Sequence, residues 1–388
     1  MRNVILLAIG MFALGLDAYV VAGLVPGISE TYQKSASQVG QAVSIFTLFY
    51  AISAPLFASI LSGKSIKKVL LVSMFIFGVA NAISAVAPDF SIFLISRAIA
   101  GVGAGLFSPL AVAGSTLLVP GNKKGRALSV TIGGMSMGTV LGVPVGLYIA
   151  TVLNWQAVMW GIAVLSCIAF VTIYKMLPKI PVTAPPTMKE RLAMFVDKKV
   201  TVTVSITFFA SIASLGLYTY ISPFLEEFTA AQDVTIYLWA WGLGGLFGSF
   251  IIGYVIDYFK KLKIITLSIL IILTVAVACI PLAIYIPIIQ YMPFFVWGAM
   301  GWAAQAPQQQ ILMEYQPNQG SAAVALNSSV NYLGSSVGAM LGGVVLSLGK
   351  GSLLLIYFAI LAMVVSLVLQ LYSMRSSFVV SKTSGIQK

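Results

Sequence analysis

The sequence predicts an all-α membrane protein of twelve transmembrane helices in two pseudo-symmetric six-helix bundles. Three observations carry that prediction. The chain of 388 residues is 59% hydrophobic and only 8% charged, with a mean hydropathy of +1.01, where a soluble domain carries about 25% charged residues. Its apolar residues fall into twelve runs, each of about the 20 residues needed to cross a bilayer. Its cations occupy alternate loops.

The runs lie near 4–26, 39–61, 69–87, 91–117, 127–149 and 156–177, then near 200–224, 235–256, 264–285, 288–312, 321–347 and 352–373. Arg2 ahead of the first run gives the look of a signal peptide. That run continues to about Val25, however, and no clean small-residue cleavage site follows, so it reads as a retained first helix. Prolines at 281–293 blur the border between the ninth and tenth runs.

Lys64, Lys67 and Lys68 follow the second run, and Lys123, Lys124 and Arg126 the fourth. Lys175, Lys179, Lys189, Arg191, Lys198 and Lys199 follow the sixth, and Lys260, Lys261 and Lys263 the eighth. With Arg2, Arg375, Lys382 and Lys388, that places 19 of 22 cations on one side. By the positive-inside rule this side is cytoplasmic and holds both termini. Lys34 and Lys350 fall opposite, beside Glu30, Asp89, Glu226, Glu227 and Asp233. The net charge of +12 is therefore a topology signal, and scattered short basic loops argue against nucleic-acid binding. There is no histidine, which weighs against most enzymes. Cys167 and Cys279 sit inside apolar runs and read as small core residues.

A polar, basic stretch at 178–199 divides a first bundle (1–177) from a second (200–373), followed by a tail at 374–388. The halves resemble each other. Gly134, Gly138, Gly142 and Gly146 recur at every fourth position of helix 5, and Gly334, Gly338 and Gly342 do so in helix 11. Matching Gly138 to Gly334 gives a period of 196, and matching Gly63 to Asp257 gives 194. Such ladders make smooth helix faces, serving plain packing or two halves that rock about a central site.

Asp17 stands midway along helix 1, where a charge costs roughly 2.5–3.5 kcal/mol on insertion scales. Facing water, pairing with a cation or taking up a proton can offset that cost. Arg97, in "FLISRAIAGVGAG", is the one cation within a span. It either snorkels to the interface or supplies a fixed positive charge. In the second half the polar candidates are Gln305, Asn327 and Asn331, with Phe209 and Tyr218 among aromatic residues able to line an apolar pocket. "GSSVG" at 334–338 fits a hydrolase elbow, but it lies in the glycine ladder of a chain without histidine.

Together these residues resemble the major facilitator superfamily, in particular drug:proton antiporters of the arabinose-efflux-permease type. "GLDAYVVAGLVPGIS" is similar to that family's first helix, "SRAIAGVGAG" to its fourth, and "LNSSVNYLGSSVGAMLGG" to its eleventh. "GTVLGVPVG", with Gly138, Gly142, Pro144 and Gly146, resembles the exporter motif of helix 5. The loop after helix 2 departs from the pattern: Ser59 and Gly63 replace its Gly and Asp, whereas Gly253 and Asp257 keep them in the second half.

The resemblance implies proton-coupled efflux of a drug-like or amphipathic compound across the cytoplasmic membrane, driven by a proton gradient without a cofactor. A sugar, purine nucleoside or other metabolite is the alternative cargo, and a same-fold importer or uniporter the alternative direction. It further implies that Asp17 and Arg97 couple protons. Asp17, Tyr19, Phe46, Phe49, Met135, Phe209, Tyr218, Gln305, Asn327 and Asn331 are the implied substrate contacts. The glycines and Pro144 would let the two halves slide and seal. The expected partners are a small molecule, protons and the lipid bilayer, with a monomer as the default state.

Overall fold

The computed structural model describes residues 1–61, 65–120, 123–180, 188–228, 234–317, 319–349 and 351–384. Gly63, Lys64, Asp233, Lys350 and Lys388 lie outside them. Every regular element among the described residues is helical.

The first bundle comprises α1 (Arg2–Tyr32), α2 (Ala36–Leu61), α3 (Ile66–Val86), α4 (Phe90–Leu117), α5 and α6 (Trp155–Met176). Helix α5 is continuous but mixed: Lys124–Met137, a π-helical turn at Gly138–Gly142, then Val143–Val152. Pro144 has no N–H and its ring crowds the preceding turn, so a wide turn just before it is where that strain is taken up. A short linker helix, Met188–Ala193, follows. The second bundle comprises α7 (Lys198–Thr219, resuming as Ile221–Phe228), α8 (Thr235–Phe259), α9 (Leu262–Ala283), α10, α11 (Gly320–Ser347) and α12 (Leu353–Ser384). Helix α10 breaks at Ala304 into Met292–Ala303 and Gln305–Tyr315.

Among the described residues ten helices are long and apolar enough to cross a membrane. The remaining two predicted spans correspond to α2, 26 residues long, and to α10, whose pieces have 12 and 11 residues. Side chains such as Phe75, Phe250 and Leu282 are well exposed on the outer surface, as lipid-facing residues should be. Cys167 and Cys279 are exposed there too. They are not core residues as expected, because an apolar run does not reveal which of its faces meets lipid.

Helix starts are capped by their own sequence. Asp89 accepts from the N–H groups of Ser91 and Ile92 at 2.8 and 3.0 Å, and Asn154 from that of Ala157 at 2.8 Å. Two lysines on the basic face bond backbone carbonyls of the last helix of each bundle. Lys67 of α3 donates to the Tyr174 and Leu177 carbonyls, and Lys263 of α9 to that of Ser373. At the end of α6 the Lys67 cation satisfies carbonyls without intrahelical partners and complements the helix dipole, whereas Ser373 lies inside α12.

The glycine ladders dock within each bundle. In α5, a Cβ at Gly134 would strike the Ala8 carbonyl, at Gly138 that of Phe12, and at Gly146 would lie 3.0 Å from Val20 Cγ2. In α11, a Cβ at Gly334 would stand 2.6 Å from the Phe208 oxygen, and one at Gly338 would strike that of Ile212. Gly134 and Gly138 thus meet residues 126 positions earlier, and so do Gly334 and Gly338. For these helix pairs the offset is 200 residues, one helical turn beyond the 196 read from the glycine pattern, whereas Lys67 and Lys263, with their acceptors Leu177 and Ser373, keep the offset of 196. A ladder with identical rungs cannot fix its own register; only the partner helix can.

The ladders therefore hold α1 on α5 and α7 on α11 and are not surfaces on which the halves slide. Between the bundles, α2 meets α11. Ser44 and Ser336 each donate to the other's carbonyl at 2.8 Å, and Ser37 donates to Gly343 O at 2.6 Å. Ser222, after the break in α7, donates to Ala22 O of α1 at 3.1 Å. Gly253 has open space around it and Asp257 is exposed, so the second-half loop motif engages no neighbour here.

Candidate functional site

Between the bundles lies a cavity of about 1140 Å³. Its mouth is formed by Thr116 and Leu117 at the end of α4, Ile132 near the start of α5, Glu190 of the linker helix, Met313 of α10 and Gln319. It opens on the basic face, while the serine contacts close the opposite side. Deeper in, it is lined by Tyr19, Tyr50, Met135, Trp241, Trp302, Gln305, Gln308, Asn331 and Tyr332.

The second bundle supplies a wall of amides. Asn331 Oδ1 accepts from Ser211 at 2.6 Å and from Gln305 Nε2 at 2.9 Å. Behind it, fully buried Asn327 pairs with Thr207 at 2.7 Å, and Thr207 also meets Gln308. Burial of uncharged amides is tolerable where they bond one another. Aromatic rings make the inner end: Tyr218 packs on Trp241 with centroids 4.4 Å apart, and Tyr19 meets both rings at 5.6 Å. Tyr50 of α2 stacks on Tyr332 of α11 at 3.8 Å, linking the bundles.

Asp17 is elsewhere. It is 0% exposed and Arg97 is 1% exposed, and their Oδ1–Nη1 distance is 2.8 Å. The same Arg97 nitrogen donates to Asn81 Oδ1 of α3 at 3.1 Å, and its guanidinium lies 4.7 Å from the Phe46 ring centroid. Arg97 does not snorkel. A lone arginine in a dry bundle is costly, whereas a paired one with an amide and a ring face beside it is held. Asp17 Oδ2 and Arg97 Nε have no hydrogen-bond partner among the described residues, so the pair is incompletely satisfied. Neither residue lines the cavity.

The expected substrate contacts therefore divide. Tyr19, Met135, Gln305 and Asn331 line the cavity. Asp17 and Phe46 belong to the ion-pair site, and Phe49 packs beside Gly101 of α4. Phe209 meets Phe208 edge-on, while Tyr218 and Asn327 form a layer behind the lining. Asn81, Tyr50, Trp302 and Tyr332 are additions that the sequence pattern does not single out. Asn81 carried a usable signal, being the only asparagine inside a first-half span.

Two six-helix bundles enclosing a central cavity open to one side define a membrane transporter of the alternating-access kind. The chain matches the family model described as Major Facilitator Superfamily over residues 7–339, and it belongs to that family. It is 30% identical to the inner membrane transport protein YdhP of Escherichia coli (strain K12), covering 89% of each chain. It is 27% identical to a probable sugar efflux transporter of Mannheimia succiniciproducens, over 89% of this chain and 87% of that one. Among solved structures, it resembles an inward-facing, unoccupied bacterial homologue of the human lysosomal transporter Spinster. The TM-score is 0.75 at 15% identity, over 98% of this chain and 97% of that one.

Proposed function

We propose that this transporter exports a small molecule from the cytoplasm in exchange for protons. The carrying observation is the Asp17–Arg97 pair, fully buried in the first bundle and separate from the cavity. A carboxylate so placed can respond to a proton without competing with cargo for the same atoms. Protonation of Asp17 would break the ion pair and leave Arg97 with Asn81 and the Phe46 face. Deprotonation would restore it. Because α1 packs on α5 through the glycine ladder, and Met135 and Thr139 of α5 line the cavity, rearrangement at Asp17 reaches the cargo through α5.

The positive-inside rule supports a cytoplasmic basic face. On that reading both termini are cytoplasmic and the cavity loads from inside, as an exporter's should. The sugar-efflux relative supports a polar metabolite as cargo beside a drug-like compound. Proteoliposomes with an imposed pH gradient test the coupling: Asp17→Asn should abolish gradient-driven transport while counterflow of cargo persists. Gradient-driven transport at the wild-type rate by Asp17→Asn would refute it, and accumulation of cargo by expressing cells would instead favour an importer.

A further inference from the structure

The chemistry of the cavity wall narrows the cargo, on the reading above that the cavity is where cargo binds. Among the described lining residues the only charged side chain is Glu190, exposed on the linker helix at the mouth. The carboxylate that could have held a cation, Asp17, is bonded to Arg97 behind the wall. A charged solute entering the inner end would shed water without meeting a counter-charge, which is strongly unfavourable. Aromatic rings can hold cations on their faces, but here the rings occupy one another. Tyr50 and Tyr332 are stacked at 3.8 Å, and Trp241 is packed by Tyr218 at 4.4 Å and by Trp302 edge-on at 5.9 Å. Rings held face to face and edge to face leave mainly their electropositive edges for a guest.

One wall group is built to donate. Trp241 lines the cavity at 2% exposure, and its indole Nε1 has no acceptor among the described residues. Its neighbour Trp297 shows the contrast, donating to Ser214 Oγ at 2.7 Å. A buried N–H without a partner is costly, and an incoming oxygen would relieve that cost.

We infer that the cavity selects uncharged solutes carrying hydroxyl or carbonyl oxygens, and that the Trp241 indole N–H donates to one of those oxygens. Gln305 and Asn331, already joined to each other, offer further amide groups to the same guest.

Calorimetric titration of the purified full-length protein in detergent, without any gradient, tests this. The neutral probes are chloramphenicol and p-nitrophenyl β-D-glucoside, and the cationic probe is tetraphenylphosphonium. A neutral probe is expected to bind at least tenfold more tightly than the cation. Trp241→Phe keeps an aromatic ring and removes the N–H. It should weaken the neutral probe about tenfold, the size of one lost buried hydrogen bond. Gln305→Glu places a carboxylate in the wall and should strengthen tetraphenylphosphonium about tenfold, a result that does not depend on Trp241→Phe folding. Equal or tighter binding of the cation by the wild type, or no binding of either neutral probe, overturns the solute class. Unchanged neutral binding by folded Trp241→Phe overturns the donor. If Asp17→Asn transports normally under a gradient, the proton reading fails while these binding results stand.

Discussion

Gly334→Ala puts the packing of the second bundle to a quantitative test. The new Cβ would lie 2.6 Å from the Phe208 carbonyl oxygen and 2.8 Å from Ser211 Cβ. Ordinary contact begins at 3.4 Å, so α11 must withdraw from α7 by about 0.8 Å. Neither neighbour is the flexible end of a side chain, so the strain falls on backbone. Overpacking of this kind costs about 1–3 kcal/mol, partly offset by about 1 kcal/mol from replacing glycine by alanine in a helix. A net loss of up to about 2 kcal/mol follows. The displacement also pushes Ser211, whose hydroxyl holds Asn331 in the cavity wall at 2.6 Å, so solute affinity should fall as well. Thermal unfolding in detergent, followed by tryptophan fluorescence, is the assay, with Gly133→Ala as control. Gly133 has nothing within 4 Å, so alanine there should raise the midpoint through helix propensity alone. If Gly334→Ala unfolds at or above the wild-type midpoint, the assigned contact between α7 and α11 is wrong.

Other perturbations have equally definite outcomes. Arg97→Gln leaves Asp17 buried without its cation and should cost about 3–5 kcal/mol; adding Asp17→Asn should recover most of it, as read by the same unfolding measurement. Ser44→Ala and Ser336→Ala each remove one of two reciprocal bonds across the bundles, worth about 1 kcal/mol each. Each should shift the population severalfold away from the state open on the basic face, measured by spin-label distances between α2 and α11. Lys67→Met should lower stability by about 0.5–1 kcal/mol through loss of a C-terminal cap, and Lys263→Met by less, because its acceptor Ser373 lies inside α12; an equal or larger loss at Lys263 in the unfolding measurement would refute the capping role.

Spans and the existence of two halves could be read from the chain because the bilayer imposes its length rule on local sequence. Packing partners could not. The glycines of α5 and α11 announce a close approach without naming the helix that approaches, so the two ladders align one turn away from where their pattern alone matches them. Asp17 and Arg97 stood out because charge is rare in a span, yet nothing local revealed that they bind each other across 80 positions. The cavity wall was half legible. Gln305 and Asn331 showed themselves as amides in apolar runs, whereas Trp241 and Tyr332 look like any membrane aromatic until a fold decides which way they face.

The placement of the ladders has a consequence for how such a protein can diversify. On α5 the glycines that touch α1 lie on a different face from Ser136, which lines the cavity, while Met135 and Thr139 border both α1 and the cavity. On α11 Ser328 and Tyr332 likewise stand apart from the glycines, while Asn331, bonded to Ser211, links the two faces. A change on the glycine face is felt by the whole bundle, while a change on the cavity face is felt chiefly by the guest. Parts that set mechanical fit and parts that set chemical taste thus meet only at a few positions such as Asn331 and Thr139, so selectivity can be rewritten elsewhere on the same two helices without rebuilding the machine.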